Sequence, residues 1–134
     1  MQLPHGATVV VADGAKLVMF RNTGNEADPS LTEIPHGEVD VENMDSGKRH
    51  QSSSANPDDS TQNEDAFASG VADILNKAVL GGKIDALLVI AAPKTLGELR
   101  INYHKTLQAK LIGEIAKDLT GHNIPDILKS IAAA

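Results

Sequence analysis

The 134 residues read as one α/β domain with the element order βββαβαβα. Three observations predict it. A hairpin signal joins two β-branched runs near the start, and a continuous apolar run of strand length lies near the middle. Helix start and stop signals bracket the segments between the later strands.

The first strand is expected over Thr8–Ala12 and the second over Lys16–Phe20, joined by Asp13-Gly14-Ala15. Asp-Gly between two such runs marks a tight turn, because glycine adopts positive φ at little steric cost. A polar stretch, residues 23–30, leads to a third strand expected over Leu31–Val39, with Pro35 pushing it to a sheet edge or an early end. Residues 42–63 then form a long polar loop with almost no apolar content, the kind of segment that is usually functional or disordered.

Thr61-Gln62-Asn63-Glu64 has the pattern of a capping box and predicts the start of the first helix. Phe67, Val71, Ile74, Leu75 and Ala78 would share its buried face, and Gly81-Gly82 would stop it. Residues 86–92 (ALLVIAA) predict a strand buried on both faces. Pro93 ends it, and Thr95-Leu96-Gly97-Glu98 is a second capping box, opening a helix expected to run through Leu96, Leu99, Tyr103 and Leu107. Residues 110–117 (KLIGEIAK) are assigned to a strand, since Gly113 would cost a helix about 1 kcal/mol. Gly121 and Asn123 mark a turn, and Pro125 suits the first turn of a short terminal helix. The expected architecture is a five-stranded mixed sheet with helices on its faces, of ribonuclease H-like topology, filling residues 1–134 as a single unit.

Composition narrows the function classes. Aromatics are only 2%, too few for a platform that stacks bases, and there are no cysteines, which removes disulfides, thiol catalysis and thiolate metal sites. No run approaches the roughly 18 apolar residues of a membrane span, and the first residues lack the pattern of a secretory signal, so a cytoplasmic protein without membrane contact is expected. The net charge of −6 is uneven: residues 1–65 carry four Lys/Arg against twelve Asp/Glu, and residues 66–134 carry eight against six. The acidic half is a poor surface for phosphates, whereas the second half allows a basic patch.

No nucleophile elbow, phosphate-binding glycine loop or dinucleotide fingerprint is present, and His5, His36, His50, His104 and His122 lack metal-ligand spacing. Neither a metal nor another cofactor is expected. Two candidate sites remain. One is the basic tip of the long loop, Gly47, Lys48, Arg49, His50 and Gln51, set against the reading of a solvated loop. The other is the strand-to-helix junction with Lys94, Thr95 and Arg100, a position that favours ligands and anions in α/β sheets, set against the reading of a capped helix with flanking surface cations.

The segments LPHGATVVVADGAKLVMFRN, NEDAFASGVADILNKA, LLVIAAPKTLGELR and KLIGEIAKDLTGH closely resemble the bacterial host attachment protein family over almost the whole chain. That family in turn is distantly similar to the central domain of archaeal and eukaryotic peptide-chain release factors and of Pelota. The resemblance implies a cytoplasmic binding or regulatory protein, indirectly required for attachment to host cells, with an unidentified protein partner. The alternative it implies is a ribosome- or tRNA-associated module, a variant peptidyl-tRNA hydrolase. In release factors the loop after the third strand carries Gly-Gly-Gln, and here that loop offers Gly47 and Gln51 without the tripeptide. Whether the chain is an enzyme, and its oligomeric state, are left open by the sequence.

Overall fold

The computed structural model describes residues 1–41 and 59–134, the side chains of 59–62 excepted. The elements in chain order are β1 (Thr8–Ala12), β2 (Leu17–Asn22), β3 (Leu31–Ile34), α1 (Asp59–Leu80), β4 (Leu87–Ala91), α2 (Pro93–Ile101), α3 (Lys105–Lys110), β5 (Leu111–Ala116) and α4 (Ile124–Ala133). The five strands form one mixed sheet ordered β3-β2-β1-β4-β5. The β1–β2 and β2–β3 pairs are antiparallel, whereas β1–β4 and β4–β5 are parallel. The expected α/β architecture is therefore present.

Two cores follow from the two-residue period of the strands. Val10, Ala12, Met19, Leu87, Val89 and Ala91 face α1, α2 and α3. Their neighbours Val9, Val11, Phe20, Leu88, Ile90 and Ile115 face α4, which buries Ile127 and Ile131 against them. β1 and β4 sit between both layers, so every residue of each is buried, and Thr8 is the one polar residue among their ten. Aliphatic side chains do nearly all of this packing, as a chain with 2% aromatics requires.

Where the elements end, the structure departs from expectation in five places. β3 stops at Ile34 rather than Val39 because Pro35 cannot donate to the ladder. His36 then turns the chain back, with Nε2 3.0 Å from the Leu17 carbonyl oxygen. The β1–β2 turn does not use a positive φ at Gly14. Asp13 instead accepts from the Ala15 and Lys16 amides through Oδ1 at 2.7 and 2.6 Å. Glycine is needed at 14 for a different reason, since a Cβ there would lie 2.6 Å from Glu64 Cγ.

α1 begins at Asp59, so Thr61 is inside it, and residues 59–63 of the expected loop are helical. α2 begins at Pro93 with Ala92 as its cap and no side-chain cap, which leaves Thr95 in the first turn as a buried residue. Proline at the first helical position sets that start, two residues ahead of the capping-box pattern. The helix expected to reach Leu107 is broken at Asn102. There the buried Asn76 of α1 donates through Nδ2 to the Asn102 carbonyl at 3.0 Å and accepts from the His104 amide at 3.0 Å.

Other expectations hold. Gly82, at φ +74°, ends α1 in a Schellman arrangement, with Lys83 N–H on the Ala78 carbonyl and Gly82 N–H on that of Val79. Asn123 caps α4 by accepting from the Asp126 amide at 2.9 Å. Among the described residues no helix is long and apolar enough to cross a membrane.

Candidate functional site

The parallel strands β1, β4 and β5 all finish at the same end of the sheet, at Ala12, Ala91 and Ala116. The segments leaving these strands are therefore gathered there: Asp13 after β1, Ala92–Thr95 after β4, and Asp118–Thr120 after β5. The early turns of α1 add Glu64 over the β1–β2 turn. Together they line a cleft of about 320 Å³, with Asp13, Glu64, Lys94, Thr95 and Asp118 among its walls. This is where open α/β sheets place ligands, because the loops leaving adjacent strands diverge and leave a crevice.

Hydrogen bonds fix two of the acids of this cleft, Asp13 and Asp118. Thr120 Oγ1 lies 2.7 Å from Asp13 Oδ2 and 2.6 Å from Asp118 Oδ1. The hydroxyl has one proton and two carboxylate neighbours, so it donates to one at a time. With the Ala15 and Lys16 amides, it ties the β1–β2 turn to the segment after β5, across more than a hundred residues of sequence. Partial burial works to raise the Asp13 pKa. The Ala15 amide, the Thr120 hydroxyl, the Lys16 amide and the Lys16 charge outweigh it and hold the carboxyl below its ordinary value.

The site differs in composition from the pair of cations the sequence singled out. Lys94 and the buried Thr95 both line the cleft. Arg100 lies six residues further along α2, roughly 9 Å at 1.5 Å per residue. It pairs there with Glu114 of β5, Nε to Oε1 and Nη2 to Oε1 both at 3.0 Å. Lys94 and Thr95 are thus brought together, and Arg100 is not brought to them. Three carboxylates share the cleft with Lys94, so it suits a ligand that offers hydrogen-bond donors more than a bare anion. Among the described residues no group of three His, Asp or Glu is placed to hold a metal ion. Gly47, Lys48, Arg49, His50 and Gln51 lie outside the described residues.

Sequence reasoning missed Glu64, Asp118 and Thr120 as parts of one site. A signal for Asp118 exists, since it and Asp13 each come closely after a strand that ends beside its neighbour. Glu64 has no such signal, because its approach to Gly14 depends on how α1 lies against the sheet.

The chain matches the bacterial archaeo-eukaryotic release factor family 12 over residues 6–131. It belongs to that family. The match takes in every strand and the whole cleft, and it agrees with the release-factor side of the sequence resemblance. None of the curated proteins compared with the chain matches it.

Proposed function

We propose that this protein is a release-factor-like module that works by binding a component of the translation machinery, the ribosome or a tRNA. The observation that carries the reading is the family match across residues 6–131. Binding is preferred to hydrolysis because Asp13, the acid best placed at the strand ends, is engaged by two amides and a hydroxyl. A carboxylate held in that way, with its pKa lowered, is a poor general base. The sequence also lacks the Gly-Gly-Gln that its release-factor resemblance would require for peptidyl-tRNA hydrolysis. Attachment to host cells, where it depends on this protein, is then an indirect outcome of altered translation in a cytoplasmic setting.

Co-sedimentation of the purified protein with ribosomes, alongside a filter-binding assay with tRNA, tests the reading. Binding by the wild type and its loss on deleting residues 45–55, which contain Lys48 and Arg49, are the expected results. Failure to bind either ribosomes or tRNA ends the proposal. Release of peptide from peptidyl-tRNA, abolished by Gln51→Ala in a folded protein, would replace it with the hydrolase reading.

A further inference from the structure

A second cleft, of about 590 Å³, runs along the outer edge of the sheet between β2–β3 and the C-terminal half of α1. Its size falls within the range of small-molecule pockets. Two local causes open it. Pro35 ends β3 after four residues, so the sheet stops short beneath the helix. On α1, Ile74, Lys77 and Ala78 recur at three- and four-residue spacing, Gly81 just past its end continues the stripe, and the small residues Ala78 and Gly81 leave space.

The floor is apolar: Met19, Ile34, Ile74, Ala78 and Ile84. The charged members of the lining are all cationic, Arg21, Lys77 and Lys83, in a protein of net charge −6. Lys77 is paired with Asp73 of its own helix at 2.9 Å, an exposed pair of small energetic weight. Arg21 and Lys83 have no carboxylate partner among the described residues. Arg21 Nη2 donates to the Lys83 backbone carbonyl, at 3.4 Å, which brings the two cationic residues to one end of the cleft. Directly across from Arg21 in the β1–β2 register is Thr8, fully buried, with a hydroxyl that has no hydrogen-bond partner. An apolar channel thus leads to two cationic residues that no carboxylate among the described residues pairs with, and the strand beneath Arg21 carries the unpartnered Thr8 hydroxyl.

We propose that this cleft binds an aliphatic chain ending in an anionic group, with the chain on Ile74, Ala78 and Ile84 and the anion on Arg21 and Lys83. The Arg21 guanidinium offers the charge-assisted, bidentate recognition that a carboxylate or a phosphate monoester accepts, and Lys83, a second cationic residue of the same lining, adds to the favourable charge. The apolar floor requires the rest of the ligand to be hydrocarbon, since a bare inorganic anion would leave it wetted. The site shares no residue with the cleft at the strand ends, so it stands whether or not the protein binds ribosomes.

The test is calorimetric titration of decanoate and of decyl phosphate, each below its micellar concentration, with decanol as the neutral control. Amide chemical shifts map where the ligand sits. Saturable one-to-one binding of an anionic probe is expected, with shifts confined to residues 19–21, 34–37 and 74–84, and with decanol at least about tenfold weaker. A better decanoate than decyl phosphate points to a carboxylic acid as the ligand, and the reverse order to a phosphate ester. Arg21→Gln with Lys83→Gln should weaken binding about tenfold or more, and Ala78→Phe should block it while the melting temperature is kept. Decanol binding as well as decanoate, unchanged affinity in the charge variant, or shifts centred elsewhere would each overturn the assignment.

Discussion

The two ends of the sheet use the same device in different electrical forms. At the end where the parallel strands finish, Asp13 holds a chain reversal by accepting backbone amides, and it is charged and largely solvated. At the other end Asn22 and Asn76 do the same work as neutral amides in the interior. Asn22 makes four bonds, donating to the Leu3 and Pro4 carbonyls and accepting from the Gly24 and Ser30 amides. Burial decides what such bonds are worth, because a lost partner in the interior leaves amides and carbonyls that water cannot reach. The acidic end is therefore adaptable, and the amide end is rigid.

Substitutions can break that contrast, and their expected effects descend in order. Asn22→Ala removes four bonds and orphans three backbone groups, the Leu3 carbonyl and the Gly24 and Ser30 amides, and should cost roughly 3 kcal/mol, read from urea unfolding. Asn76→Ala frees the Asn102 carbonyl and the His104 amide. A loss of about 2 kcal/mol is expected, with faster hydrogen exchange confined to residues 102–104. Gly14→Ala pushes a methyl group against Glu64 and should cost about 1–2 kcal/mol; adding Glu64→Ala should restore most of it if the clash is the cause.

Asp13→Asn sharpens the comparison through pH. The folded-state pKa of Asp13 lies below its ordinary value, so its stabilising contribution is present above the unfolded pKa and is lost as pH falls through the folded one. Between about pH 5 and about pH 3 the wild type should lose more unfolding free energy than the asparagine variant. Parallel curves for the two proteins would remove Asp13 from the account of the acidic end. The smallest effect belongs to Arg100→Gln, which breaks an exposed pair with Glu114 and should leave the urea unfolding midpoint almost unchanged.

The sheet was legible because its signals are local. Val9–Val11 and Leu87–Ala91 are runs whose composition suits burial on both faces, and Gly82 supplies a positive φ that ends a helix wherever it occurs. What escaped prediction is non-local. The break at Asn102 is made by a side chain 26 residues earlier, and the demand for glycine at 14 is made by a helix residue 50 positions later. Capping patterns failed where a competing local feature won. Pro93 fixed the start of α2, and Asp59 and Ser60 are residue types as suited to a helix start as Thr61. The strand-end cleft was half legible: Lys94 and Thr95 are given by the strand-to-helix junction. The acids around them come from three separate stretches that only the topology brings together.

The unequal edges of the sheet carry a consequence for crowding. β3 is four residues long and closed by Pro35, so a foreign strand finds almost nothing there to copy. β5, six residues long and without proline, has no further strand beside it among the described residues. A template with one live border can recruit a single neighbour, and two copies joined border to border consume both. Any strand-to-strand association of this protein would thus stop at a pair, because neither member retains an edge from which a fibril could grow.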